Sequence, residues 1–282
     1  MQDPIVYLNG VMTPLSEAKI PVLDRGFIFG DGVYEVVPVY NGRLFRPDQH
    51  MARLSRSLDA IGIPNPHDKS RWLALINDVI TTAPGGDRMV YIQVTRGVAP
   101  RRHAFPAVVT PTVFIMVNPL PVLTQAVLEQ GVACVSMADE RWLHCEIKSI
   151  SLLGNVLAAQ NAVDNDVAEV IQFRDGFMTE GSASNAWVVK DGVLIGAPKN
   201  NLILEGIRYG LMEELCAGQG IRLEARRLTR DDVLAADEVL LTSASREVTA
   251  VTTLDGQKIG SGKPGPVWQK LFAGYQVAKQ AA

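Results

Sequence analysis

The stretch Arg141-Trp142-Leu143-His144-Cys145-Glu146-Ile147-Lys148-Ser149-Ile150-Ser151-Leu152-Leu153-Gly154-Asn155 sets one lysine among apolar residues just ahead of a helical pattern. Removing an ammonium from water costs on the order of several kcal/mol unless the group is paired or gives up its charge. A lysine flanked by Ile147, Ile150, Leu152 and Leu153 therefore either snorkels its amine to water or keeps it as a free base. A free amine is a nucleophile, suited to Schiff-base formation with a carbonyl and then to carrying a proton. Most lysines are solvated surface, so these residues alone leave both readings of Lys148 open.

Downstream of this stretch the spacing predicts a helix from Ser151 to about Val163, and upstream a helix over Thr124–Gln130 and a strand over Val132–Ser136. Strands are expected at Glu169–Phe173, Phe177–Thr179, Asn185–Lys190, Val193–Ala197, Arg222–Ala225, Glu238–Thr242 and Glu247–Leu254, with Asp-Gly turns at 175, 191 and 255. Helices are expected from Gly206 to Gly220, briefly after Thr229, and from Val267. Toward the N-terminus, Asn9-Gly10 and Asn41-Gly42 mark hairpins, since Asn-Gly supplies the positive φ angles of a type I′ turn. Between them Asp24 to Glu35 is glycine-dense, and Val33 to Tyr40 alternates as a strand. Helices follow from Pro47, stopped by Gly62 and Pro64, and over Asp68–Thr81, and then strands Met89–Arg96 and Thr112–Val117. Asn118-Pro119-Leu120-Pro121 is the stiffest connection in the chain. The expected organisation is α+β in two domains: residues 1–118, a linker at 119–123, and a larger domain at 124–282 that carries Lys148.

The 282 residues are 47% apolar and 20% charged, with a net charge of −3. Such a chain buries more than half of its surface and can enclose a cofactor. No apolar run reaches the roughly 20 residues of a membrane span, basic residues are interspersed with acids, and Met1-Gln2-Asp3-Pro4 lacks the features of an export signal. The expectation is a cytoplasmic protein that binds neither membrane nor nucleic acid. Cys134, Cys145 and Cys216 form no Cys-x-x-Cys pair, which argues against disulfides and against a zinc site, and no metal is expected.

Several separated segments share one likeness. They are Asp24-Arg25-Gly26 with Phe29-Gly30-Asp31-Gly32-Val33-Tyr34-Glu35, His50-Met51-Ala52-Arg53-Leu54, Val94-Thr95-Arg96-Gly97, Arg101-Arg102-His103, Ile147-Lys148-Ser149, Leu153-Gly154-Asn155, Thr179-Glu180-Gly181-Ser182 and Asn185. In their order and spacing the chain resembles the fold-type IV pyridoxal-phosphate enzymes, and most closely the bacterial D-amino-acid transaminases. The resemblance implies a two-domain fold of the branched-chain and D-amino-acid aminotransferase type, with pyridoxal 5'-phosphate as cofactor and Lys148 as its Schiff-base lysine. It implies that Glu180 pairs with the pyridine nitrogen, where a carboxylate strengthens the ring as an electron sink, and that Arg53, an exposed helical arginine on local reading, binds the phosphate. It implies further that Tyr34, Arg101 and His103 receive the substrate carboxylate.

Two positions depart from the family pattern. The phosphate cup, usually Gly-Ile-Thr-Arg, reads Gly206-Ile207-Arg208-Tyr209, leaving the task to the amides of Ile207 and Arg208 at a helix start. Ser243-Ala244-Ser245 has Ala244 where relatives carry threonine, so that Ser243 or Ser245 must compensate. The implied activity is transamination between a D-amino acid (D-alanine or D-glutamate) and a 2-oxo acid (pyruvate or 2-oxoglutarate), in a homodimer. An L-branched-chain aminotransferase, an (R)-amine transaminase and an aminodeoxychorismate lyase share Lys148 and Glu180, and a non-catalytic dimeric binding protein of the same fold is the reading from a different class.

Overall fold

The computed structural model describes residues 3–281, which divide into two compact units. The first runs to Leu120 and also includes Ile147–Leu152; the second comprises Pro121–Glu146 and Leu153–Ala281. Strands β1 (Ile5–Leu8), β2 (Val11–Pro14), β3 (Gly32–Tyr40), β4 (Arg43–Leu44), β5 (Arg88–Thr95) and β6 (Thr112–Pro119) form an antiparallel sheet in the order β2-β1-β6-β5-β3-β4. Helices α1 (Arg25–Phe29), α2 (Pro47–Ala60) and α3 (Lys69–Thr82) complete the unit. Proline begins α2 and the Asp68 side chain caps α3 by accepting from Arg71 N at 2.7 Å, so both starts follow local chemistry. Leu54 and Leu58 of α2 and Trp72, Leu75, Ile76 and Val79 of α3 pack on Val33, Val37, Val90, Ile92 and Ile115 of the sheet. The five-residue α1 falls inside the stretch that local sequence left irregular; Asp24 caps it by accepting from Gly26 N.

The second unit contains α4 (Gln125–Gln130), β7 (Val132–Ala138), α5 (Leu153–Asp164), β8 (Glu169–Arg174), β9 (Phe177–Met178), β10 (Asn185–Lys190), β11 (Val193–Gly196), α6 (Ile207–Gln219), β12 (Leu223–Ala225), α7 (Arg230–Leu234), β13 (Glu238–Ser243), β14 (Glu247–Leu254), β15 (Gln257–Lys258) and α8 (Pro266–Gln280). Its sheet is mixed, in the order β12-β11-β10-β13-β14-β7-β8-β9 with β15 on β14. The parallel pairs are β11/β12, β14/β7 and β7/β8. Val188, Ile195, Val239, Leu241, Val251 and Ile171 form the centre of its core.

Residues 147–152, which the sequence reading put in the larger domain, group with the first unit because they lie along the open edge of β3. Tyr34 N donates to Lys148 O and Ile150 N to Gly32 O, each at 3.0 Å, with a bridge between Val33 and Ser149. Gly32 permits this approach: a Cβ there would stand 2.6 Å from Val94 O and 3.0 Å from Ile150 Cδ1.

Candidate active site

Lys148 is half-buried, and its backbone N donates to Ser57 Oγ at 3.2 Å, across 91 positions of sequence. Its Nζ stands 4.0 Å from the centroid of the Tyr34 ring, an arrangement worth about 0.5 to 2 kcal/mol for a cation. The surroundings are less apolar than the sequence suggests, since Leu153 is 72% exposed and only Ile147, Ile150 and Leu152 are partly covered.

On the same strand as Tyr34, one residue on, Glu35 points into the core and is wholly buried, as is His50 of α2. Arg53, expected to be exposed, is buried beside them: its Nε and Nη2 donate to Glu35 Oε1 and Oε2 at 2.7 and 2.8 Å, and His50 Nδ1 lies 2.8 Å from Oε2. Burial alone would raise the carboxyl, but the charge and hydrogen bonds of Arg53, with the bond from His50, hold Glu35 well below the usual carboxylate range.

Arg101 and His103 are exposed side chains on the loop between β5 and β6. They meet at Phe29 of α1: the Arg101 guanidinium carbon and the His103 ring centroid each lie 5.4 Å from the centre of the Phe29 ring. Of the three residues expected to receive a carboxylate, the first unit thus groups two at one place and pairs the third with Lys148.

In the second unit Glu180 follows β9 and is buried. It accepts from Arg141 Nη1 at 2.5 Å, from Asn185 Nδ2 at 3.0 Å and from Leu204 N at 3.1 Å. Burial pushes the carboxyl up to about 7, against the pull of Arg141 and the Leu204 amide and with the help of the Asp139 charge. Arg141 is not devoted to Glu180: its Nε and Nη2 donate to Asp139 at 2.9 and 2.8 Å, and Asp139 also accepts from Arg174 Nη2 and Thr179 Oγ1. Sequence reading passed over Arg141 and Asp139, although both adjoin the lysine stretch. The available signal was an aspartate and an arginine two positions apart at the head of that stretch.

Asn185 links Glu180 to the expected phosphate cup. It lies opposite Thr242 in the β10/β13 pair, one residue before Ser243, and its Oδ1 occupies the space a Cβ on Gly206 would need. Gly206 begins α6 without a side-chain cap, so the first helical amides, those of Ile207 and Arg208, have no intrahelical carbonyl to bond. The Arg208 side chain turns away to Tyr275 Oη, at 3.4 Å, so Arg208 offers the cup its main chain. In the turn after β13, Ser243 Oγ accepts from Arg246 N at 3.1 Å and lies 3.5 Å from Ser245 Oγ, while Ala244 contributes main chain alone. Cys134, Cys145 and Cys216 are buried free thiols, raised by burial, Cys145 and Cys216 to about 11.

Residues 32–254 match the family described as amino-transferase class IV. A D-alanine aminotransferase from Bacillus licheniformis is 40% identical over 271 residues, covering 96% of this chain and 95% of its own. Among solved structures, the branched-chain amino acid aminotransferase of Escherichia coli superposes with a TM-score of 0.90 at 26% identity, covering 96% of this chain and 93% of its own. A hypothetical aminotransferase from Mycobacterium tuberculosis, in its PLP-bound form, shares the fold with a TM-score of 0.86 at 22% identity, covering 98% of this chain and 99% of its own.

Proposed function

Because the chain belongs to the class IV amino-transferase family, we propose that it exchanges the amino group of a D-amino acid, D-alanine or D-glutamate, for the oxygen of a 2-oxo acid, pyruvate or 2-oxoglutarate. The observation that carries this reading is the 40% identity, over nearly the whole of both chains, to a D-alanine aminotransferase. Pyridoxal 5'-phosphate, when bound, supplies an electron sink for the pair left at the substrate's Cα. The second unit fits that group: Glu180 is a buried carboxylate with donors on both oxygens, and the uncapped start of α6 is an anion site free of any Cβ at Gly206.

In this reading Lys148 would hold the cofactor's aldehyde carbon and, as a free amine at Nζ, move the proton on and off the substrate's Cα. Glu180 would keep a proton on the pyridine nitrogen. The amides of Ile207 and Arg208, the Ser243 hydroxyl and the Ala244 main chain would take the phosphate, with Arg53, whose guanidinium plane Glu35 fixes through Nε and Nη2. Tyr34, Arg101 and His103 would take the substrate's carboxylate, Arg101 through its planar fork.

We place the enzyme in a homodimer. Val22, Phe27, Val98, Phe105 and Val108 are 72, 67, 52, 62 and 81% exposed in and beside the Arg101 loop, a concentration of apolar surface that favours a partner. That loop rests its Arg101 and His103 side chains on Phe29, and its exposure suits service to a neighbouring subunit's site. Three buried, unpaired thiols suit a cytoplasmic location, and no helix of the described residues is long and apolar enough to cross a membrane.

Since the Cα–H must face Lys148 Nζ, the side on which the carboxylate is held decides which enantiomer reacts. The purified holoenzyme given D-alanine or L-alanine alone is expected to lose the visible absorption of its cofactor faster with the D-enantiomer. Faster loss with the L-enantiomer sinks the assignment and promotes a branched-chain L-aminotransferase, the reading favoured by the solved structure from Escherichia coli.

A further inference from the structure

The loop from Gly97 to Pro111 has exposed side chains and no regular element beyond the single bridge at Val98. Loops of that length and exposure are mobile unless their main chain is tied down. Here it is tied down, and by a residue given no role above. Arg25 is 3% exposed; its Nη1 donates to Arg102 O at 2.5 Å and its Nη2 to His103 O at 3.1 Å, with Ala104 O a further 3.5 Å from Nη1. The third nitrogen, Nε, donates to Asp31 Oδ2 at 2.7 Å, and the same oxygen accepts from Arg96 Nε at 2.8 Å. Arg96 in turn donates to Ile61 O and Gly62 O and lies under the Phe105 ring, its guanidinium carbon 3.6 Å from the ring centroid. Burial would raise the Asp31 carboxyl, but hydrogen bonds from Arg96 and Arg25 and their charges hold it below its ordinary value, so the brace stays ionised at neutral pH. The Arg25 guanidinium also rests 4.9 Å from the centre of the Phe29 ring, the ring that Arg101 and His103 share.

We propose that Arg25 is a positioning residue for substrate recognition: braced by Asp31, it grips the carbonyls of Arg102 and His103 so that Arg101 and His103 are presented to the substrate's carboxylate in one fixed arrangement. The inference rests on the reading of those two side chains as carboxylate receptors. A guanidinium is suited to the task because its planar fork fixes two adjacent carbonyls at once, which a single ammonium cannot do. The energetic consequence is preorganisation: a receptor populated only part of the time binds more weakly by that fraction.

The test uses the holoenzyme with Arg25→Met and Arg25→Lys. KM for D-alanine and the inhibition constant of propionate, a probe with a carboxylate and no amine, are expected to rise together by about tenfold to a hundredfold in Arg25→Met. The turnover number and the dissociation constant of pyridoxal 5'-phosphate are expected to stay within about twofold, and the amides of residues 101–105 to exchange with deuterium faster. Arg25→Lys is expected to fall between, because it keeps the pair with Asp31 and reaches one carbonyl; it decides the same comparison should the methionine variant not fold. Unchanged KM and propionate inhibition, or a loss of cofactor affinity in step with KM, overturns the proposal. Arg101→Ala separates the two levels of the argument. If it leaves KM unaltered, the carboxylate reading fails; if it raises KM while the Arg25 variants do not, the reading stands and the positioning role falls.

Discussion

Glu35 and Glu180 are both buried carboxylates, one in each unit, and each faces an arginine, yet they are held at opposite ends of the carboxylate range. Arg53 gives Glu35 two parallel hydrogen bonds and His50 adds a third, so the charged form is satisfied and the proton is expelled. Arg141 gives Glu180 one, because its other donors are spent on Asp139, and Asp139's own charge opposes ionisation. Burial acts alike on both. What differs is that Arg141 gives one hydrogen bond where Arg53 gives two, and that Asp139 draws on Arg141 as well; this leaves Glu180 poised near neutrality, where a partner that brings a proton of its own can set its state.

The sharpest way to break the contrast is Glu35→Gln. It leaves the Arg53 charge buried with a neutral partner and is expected to cost about 3 to 5 kcal/mol of stability, read as a lower urea midpoint; a midpoint unmoved beyond that of Glu180→Gln would erase the distinction. A slightly smaller effect concerns pH. Folded Glu180 binds its proton more tightly than the unfolded carboxyl at 4.5, so its contribution favours the fold at low pH and is lost as pH rises from 4.5 through about 7, a change of about 3 kcal/mol. Glu35 runs the other way, stabilising above the unfolded value and losing that stabilisation as pH falls. Urea titrations of cofactor-free protein across that window are expected to slope less in Glu180→Gln than in the wild type, and parallel curves would contradict the raised carboxyl. Smallest in free energy is the kinetic effect: Glu180→Gln is expected to keep fold and cofactor while turnover falls tenfold to a few hundredfold, about 1.5 to 3 kcal/mol, as for one charge-assisted hydrogen bond. Wild-type turnover in that variant removes Glu180 from the reaction.

The elements that sequence made legible are those governed by neighbours in the chain. Asn9-Gly10, Asn41-Gly42, Asp175-Gly176, Asp191-Gly192 and Asp255-Gly256 all take positive φ at both positions, as their hairpins require. The spans of α2, α3 and α6 followed from Pro47, Asp68 and the glycines at 206 and 220. Illegible were features made by distant partners. Arg53 reads as surface because nothing nearby announces that Glu35, on a strand, points inward. The division of Arg141 between Asp139 and Glu180 joins residues 39 positions apart. The small α1 escaped because its cap and its glycine look like loop chemistry until Thr95 and Thr112 are seen donating to the Asp24 carboxylate.

The six residues 147–152 also bear on how the molecule comes into being. During synthesis the first sheet can assemble once Pro119 has emerged, but β4 covers β3 only at Val39 and Tyr40, and the edge from Gly32 to Tyr34 stays open until Lys148 and Ile150 arrive. An uncovered strand edge invites pairing with other chains. A gene cut at Leu120 would therefore encode a sheet with a raw margin, and the nascent protein closes that margin with the same segment that delivers its lysine.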